Sequence, residues 1–232
     1  MPEPFDPIRR FNDRAQVYDS EVVNIIPGYE ALHSTAGHIL RTSLPEVADI
    51  LVCGSGTGNE AISYASEHPG WKITGFDPSE QMVLVAKAKA AYVGLEERIR
   101  IIHGSVEDVP SESFDAATSI LVKHFIPYDD KASYLRNIAK RLKPGAKLLT
   151  ADITGYRDDE MFKGFMLAWE SFQKTHRDED EEEIEKTLDR VRRNLPILTE
   201  ARTISMLEDA GFKKIRLFWK NLMINGYIAE KV

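Results

Sequence analysis

Three glycines, Gly54, Gly56 and Gly58, close the apolar run Ile50-Leu51-Val52-Cys53, and Asp77 ends the next apolar run, Trp71 to Phe76. Glycines at that turn remove the Cβ atoms that would keep a ligand away from the backbone. The helix expected after Gly58 offers unpaired N–H groups at its first turn. Asp77, 19 residues after Gly58, sits where a carboxylate can accept both hydroxyls of a ribose. The combination points to a nucleoside cofactor. A dinucleotide fold would carry its third glycine one residue later, where this chain has Asn59, so no pyrophosphate seat is expected.

Fewer residues qualify for proton transfer. His124, just past an apolar strand, titrates near neutral pH and suits either a general base or a structural corner residue. Tyr18 and Tyr29, near helix ends, suit either packing or a contact with bound ligand. The run Asp178 to Glu183 has six successive carboxylates, which on a helix point all round the axis and cannot converge on one cation. A solvated helix start is the expectation, and no metal site.

These residues need elements to position them. Strand-like and helix-like segments alternate from about residue 48, the pattern of a parallel sheet with helices on both faces. Strands are expected at Ala48–Cys53, Trp71–Phe76, Ile99–His103, Asp115–Val122 and Ala146–Ile153. The intervening helices start after Gly58, at an N-cap Ser79, and at Asp129 or Asp130, the last ending at Lys143-Pro144-Gly145. Residues 8–42 read as two or three helices broken by Pro27-Gly28. Residues 155–200 read as an inserted helical lid whose stripe of Met161, Phe162, Phe165, Met166, Trp169 and Phe172 suits packing over the chain's own site and dimerisation equally. A short helix near Glu200–Asp209 leads into a terminal hairpin turning near Asn221. The whole is expected to be one domain, with residues 1–45 as its N-terminal helical segment.

Composition narrows the classes. The 232 residues, 43% hydrophobic and 29% charged, are ordinary for a globular protein with a substantial core. A net charge of −7 argues against general nucleic-acid binding, although Arg190, Arg192, Arg193, Lys213, Lys214 and Arg216 could form a local patch. No apolar run approaches a membrane span and no secretory signal is visible. Cys53 is the single cysteine, which excludes an intrachain disulfide and fits a reducing cytoplasm.

Over about residues 47–153, the G-x-G-x-G turn with Asp77 in register resembles the class I S-adenosylmethionine (SAM) methyltransferases. That resemblance implies a Rossmann-like, seven-stranded α/β sheet, mostly parallel with an antiparallel C-terminal hairpin. It implies SAM as cofactor and S-adenosylhomocysteine as product. By the resemblance Gly54, Gly56 and Gly58 shape the cofactor turn, Asp77 holds the ribose and Met82 packs on the adenine. Ser105 and Val106 take the adenine edge in a segment where many members carry Asp. Ile120 lies beside the cofactor, Tyr18 contacts it, and His124 stands near the methyl. Members commonly carry an acid two residues before the first glycine to bind the SAM ammonium. Val52 occupies that position, so Asn59 or the N-terminal helices would have to serve, unless the cofactor tail lies differently.

The segments Ile26-Pro27-Gly28-Tyr29, Leu198-Thr199-Glu200 and Ala210-Gly211-Phe212 resemble, more narrowly, the carboxy-SAM synthases, a family long described as tRNA methyltransferases. Aligned on Leu198-Thr199-Glu200, Arg190 takes the place of the arginine with which that family grips a carboxylate, and Tyr29 joins the catalytic candidates. The reading from the whole sequence is methyl transfer from SAM to a small-molecule acceptor by in-line displacement. SAM-modifying chemistry without methyl transfer, either carboxy-SAM synthesis or intramolecular cyclisation, is the alternative. A non-catalytic SAM-binding regulator is the third.

Overall fold

A computed structural model describes residues 5–111, 113–177 and 181–232. Helices α1 (Pro7–Arg14), α2 (Tyr18–Ile25) and α3 (Tyr29–Ser43) precede β1 (Ala48–Cys53). Then α4 (Asn59–Glu67), β2 (Trp71–Asp77), α5 (Glu80–Tyr92), β3 (Ile99–His103), β4 (Phe114–Ile120), α6 (Lys131–Lys140) and β5 (Leu142–Ile153) alternate. The lid follows as α7 (Glu160–His176) and α8 (Glu181–Asp189), with a π-turn over Arg190–Asn194. The chain ends with α9 (Glu200–Asp209), β6 (Phe212–Asn221) and β7 (Ile224–Lys231). No helix among the described residues is long and apolar enough to cross a membrane.

The sheet runs β3-β2-β1-β4-β5-β7-β6, parallel from β3 through β5, with β7 antiparallel to both of its neighbours. This is the expected seven-stranded α/β sheet. Strand order reverses between β1 and β4, and the carboxyl ends of those strands open the crevice that such sheets use for ligands. Alternation within β1 divides the core. Ile50 and Val52 face a cluster with α3, α4, α5 and the lid, while Leu51 and Cys53 face one with α6 and α9. Val52 is therefore a core residue.

Three local expectations shift. Lys143-Pro144-Gly145 does not follow a helix end but lies inside β5, because α6 stops at Lys140. Leu142 pairs with Phe114 and Lys147 with Ala116, so the three residues sit in a bulge where proline has no ladder bond to donate. Strand β4 ends at Ile120 rather than Val122, because Leu121 turns into the left-handed region (φ 60°) while its N–H donates to Ala151 O at 2.6 Å. The hairpin turns at Leu222-Met223, and Asn221 closes β6 with its amide donating to Pro27 O at 2.8 Å.

Of the lid stripe, Phe162, Met166 and Trp169 are buried in the chain's own core while Met161 is exposed. Trp169 Nε1 donates to Ile25 O at 2.6 Å, tying α7 to the end of α2. In the acidic run, Glu181–Glu183 form the first turn of α8, and Asp178–Asp180 lie outside the described residues. Among the described residues no group of acidic, histidine or cysteine side chains is placed to hold a metal ion.

Candidate active site

The carboxyl end of β1 leads into Gly54, Gly56 and Gly58, all in the left-handed region at φ 68°, 51° and 82°. Their roles differ. A Cβ on Gly54 would stand 2.4 Å from Val122 Cγ2, and one on Gly58 would stand 2.9 Å from the Ala86 Cβ. A Cβ on Gly56 would meet nothing, because the space above it belongs to a cavity. Two of the glycines thus let protein approach protein, and the middle one leaves room for a ligand.

Asp77 faces that room at the end of β2. Its Oδ2 accepts from Gly56 N and its Oδ1 from Ser79 N, both at 2.9 Å, and the side chain is buried. Burial raises the Asp77 pKa against the lowering effect of the two amides. Each oxygen keeps a lone pair for an incoming hydroxyl, the donor set a vicinal diol needs. Ser79 also caps α5, accepting from Met82 N at 3.2 Å, which sets Met82 on the cavity floor.

The cavity has a volume of about 910 Å³ and lies along the carboxyl ends of β1, β2 and β4. Gly54, Gly56, Asp77, Met82, Ile120 and Tyr18 line it together. Gly58, Ser105, Val106, Tyr29, His124 and Arg190 do not. Gly58 supports the turn from behind. Ser105 opens a short 3₁₀ turn and is engaged with Asp108, its N and Oγ both donating to Oδ2 at 2.8 and 3.0 Å, and Val106 is buried beside it. Tyr29 faces an outer pocket with its ring 4.5 Å from that of His33. It is hydrogen-bonded to Tyr18, whose burial pushes its own phenol up to about 12.

Behind the large cavity is an inner chamber of about 110 Å³. Phe5, Phe11, Tyr18, Leu121, Phe125 and Leu195 line both spaces and form the wall between them. His124, Trp169, Ile153, Arg10 and Arg190 line the chamber alone. His124 is buried, and both its backbone N and its Nδ1 meet Asp152 Oδ1, at 3.1 and 3.0 Å. Lys123 Nζ donates to the other oxygen of Asp152 at 2.9 Å. The Lys131 ammonium donates to Lys123 O beneath them. Burial alone would raise the Asp152 pKa, but the Lys123 charge and the His124 hydrogen bond outweigh it and bring the carboxyl down to about 2. Burial lowers the His124 pKa despite Asp152, so the imidazole is neutral at pH 7.

Arg190 lies 5.1 Å over the Phe5 ring and donates to Thr187 Oγ1 at 3.3 Å. Burial, then the neighbouring Arg10 charge, lowers its pKa to about 10. Among the described residues, neither Arg10 nor Arg190 has a carboxylate within ion-pair distance. Of the other cations of the expected basic patch, Arg192 pairs with Glu170 and Glu185, Arg193 with Asp189, and Lys213 and Lys214 with Glu230, while Arg216 Nη1 donates to Ile215 O.

Sequence reasoning missed two features. Asp152 lies 28 residues from His124, and only the pairing of β4 with β5 joins them. Asp19, from α2, accepts from Asn59 Nδ2 at 2.8 Å and from Lys89 Nζ at 2.7 Å, and also holds the Thr57 hydroxyl. It clamps the glycine turn to α5. Lys89 also donates to Asn59 Oδ1, so both ends of the Asn59 amide are engaged. A lone acid in an amphipathic helix carried no signal of that role.

Glycine turn, ribose-type carboxylate and strand order together identify the fold family. The chain resembles the class I SAM-dependent methyltransferases. Residues 50–145 match the methyltransferase domain family. A carboxy-S-adenosyl-L-methionine synthase from Campylobacter hominis is 24% identical over 217 residues, covering 94% of this chain and 92% of the relative. Among solved structures, PigF with SAH superimposes with a TM-score of 0.68 at 18% identity, covering all of this chain and 63% of that one. The [4+2]-cyclase SpnF superimposes with a TM-score of 0.60 at 16% identity, covering 84% of this chain and 79% of that one. At such identities the superpositions establish the fold. The match over residues 50–145 includes the glycine turn and Asp77 and leaves the inner chamber to be interpreted from its own residues.

Proposed function

We propose that this chain is a SAM-dependent methyltransferase acting on a small-molecule acceptor. The observation that carries the reading is the cavity over Gly56 with the Asp77 carboxylate aimed into it and a second, smaller chamber behind an aromatic wall. Asp77 would hold the ribose hydroxyls, Met82 and Ile120 would pack on the nucleoside, and Gly56 would admit its approach. SAM, when bound, supplies a methyl already made electrophilic by the sulfonium. The chain's own contribution is orientation and exclusion of water, which can supply several kcal/mol of a transfer barrier. Where the acceptor must lose a proton, neutral His124 would accept it, adding about 10²- to 10⁴-fold. A 110 Å³ chamber supports a small acceptor over a macromolecular one. A single buried cysteine supports a cytoplasmic address.

Isothermal titration with S-adenosylhomocysteine tests the cofactor half of this reading. Micromolar binding is expected, and no binding at millimolar ligand would overturn it. Incubation with SAM and a panel of small acceptors, read by mass spectrometry for a gain of one methylene mass, tests the transfer.

One observation favours a second reading, modification of SAM itself. Arg10 and Arg190 line the inner chamber with no acid paired to either among the described residues, an arrangement suited to a compact carboxylate. Carboxy-SAM synthase relatives spanning 94% of this chain support it as well. Val52 and Ser105 depart from that family's pattern, and for that reason methyl transfer is preferred. Mass spectrometry of cofactor co-purified with the protein separates the two, because a carboxylated nucleoside would displace the methyl-transfer reading.

A further inference from the structure

The network around His124 holds more than a base requires. Asp152 is buried and its carboxylate is shared, Oδ1 with the His124 backbone and ring, Oδ2 with Lys123 and, at 3.3 Å, with Thr150 Oγ1. An ionised carboxylate only accepts hydrogen bonds, so Nδ1 must be the protonated ring nitrogen. Among the described residues Nε2 has no hydrogen-bond partner, and His124 lines the inner chamber. Lys123 keeps Asp152 ionised, and Lys131 fixes the turn carrying Lys123 and His124 through the Lys123 carbonyl. These groups are 96% or more buried, so their arrangement is fixed before any ligand arrives.

The size of the chamber is also informative. A dry apolar cavity of about 150 Å³ accepts benzene. At about 110 Å³, lined by Trp169, Phe125, Phe5 and Ile153 and also by Arg10, Arg14, Glu21 and Arg190, the chamber is smaller than that and holds a group of at most one ring.

From these observations we infer that Asp152 and Lys123 are positioning residues that hold His124 with Nε2 as a bare acceptor, and that the inner chamber therefore selects a single-ring acceptor presenting an O–H or N–H to Nε2. An acceptor without that proton would leave Nε2 buried and unpaired. Sites built to pair with a hydroxyl reject the analogue lacking it for that reason. The inference rests on the transfer reading above and goes further, because it specifies the acceptor's reacting group.

The test uses the full chain saturated with S-adenosylhomocysteine. Long-range ¹H–¹⁵N NMR of the histidine rings should show His124 as the Nδ1–H tautomer at pH 7.5. Phenol, the probe, should shift the Nε2 resonance and bind about tenfold more tightly than anisole, which has the ring but no proton to donate. In Asp152→Asn, an amide oxygen kept toward Lys123 puts the NH₂ where Oδ1 accepted from the His124 backbone N–H and from Nδ1, so neither donor keeps its acceptor. The ring should then take the Nε2–H tautomer and the preference for phenol should vanish. A role confined to packing would change neither tautomer nor preference. An Nε2–H tautomer in the unmodified chain, or equal affinity for phenol and anisole, would overturn the inference. Those two measurements need no variant, so they decide the matter even if Asp152→Asn fails to fold. Absence of S-adenosylhomocysteine binding would instead overturn the cofactor reading, and the His124 tautomer would still be measurable in the free chain.

Discussion

On the cofactor side, Gly54, Gly56, Asp77 and Met82 come from one strand–turn–helix–strand–helix unit, and their relations are short in sequence and fixed by backbone. Around the inner chamber, Arg10, His124, Asp152, Trp169 and Arg190 come from α1, the turn after β4, the end of β5, α7 and the π-turn. They meet only because the sheet and lid are assembled. The first region relies on backbone amides and on missing Cβ atoms, which tolerate little change and recur wherever the same cofactor is bound. The second relies on side chains from separate elements, held in place by their contacts with one another. PigF and the [4+2]-cyclase SpnF share this fold.

Substitutions can break or sharpen that contrast. The largest effect is expected around the inner chamber, where Asp152→Ala strands the buried Lys123 ammonium. Such a change costs about 3–5 kcal/mol, measurable by urea denaturation. A loss under 1 kcal/mol would mean that the network is not held as described. The same groups set the acid response. Asp152 titrates lower in the fold than unfolded, so its contribution is complete above pH 4 and disappears as pH falls toward about 2. His124 is held neutral, so stability also declines as pH falls below 6.5, where the unfolded chain takes up the proton first. Denaturation at pH 7.5, 5.5 and 3.5 should give a steady decrease, with the His124 part absent in His124→Gln.

Next is the ribose contact. Asp77→Ala should weaken S-adenosylhomocysteine about 100-fold by removing two charge-assisted hydrogen bonds, read by titration calorimetry, and affinity within threefold of the parent would remove Asp77 from the site. Smaller still is the contrast between two glycines. Gly54→Ala combines a left-handed φ with a 2.4 Å approach to Val122 and should cost about 2–3 kcal/mol of stability. Gly56→Ala meets no atom and should cost about 1 kcal/mol from φ alone, yet it should lose more cofactor affinity because its Cβ enters the cavity. The reverse ranking would show that the two roles are interchanged. The smallest effect belongs to Ser105→Ala, which removes the cap on the 3₁₀ turn for about 1 kcal/mol. With its hydroxyl engaged by Asp108, cofactor affinity should change less than threefold in a competition titration, whereas a tenfold drop would put Ser105 on the adenine.

Legibility in the sequence follows the same division. The parallel strands, the Ser79 cap and the terminal hairpin were readable because apolar periodicity and glycine or serine punctuation act over a few residues. The Lys143-Pro144-Gly145 bulge was not, since proline and glycine mark a helix end as readily as a bulge and only pairing with β4 distinguishes them. Met82, Ile120 and Tyr18 were expected near the cofactor and line the large cavity, whereas His124 and Arg190 were expected there and line the chamber behind it.

What the chain determined by itself was the nucleoside-facing turn. Three glycines, a strand before them and an aspartate after the next strand leave the backbone few alternatives, because left-handed φ values and close approaches exclude other residues. Only the tertiary structure decided that His124 meets Asp152, that Asp19 clamps the glycine turn, and that the lid stripe faces inward. Each is a meeting of side chains from distant elements, and a hydrogen bond or an apolar contact carries no trace in sequence of the partner that completes it.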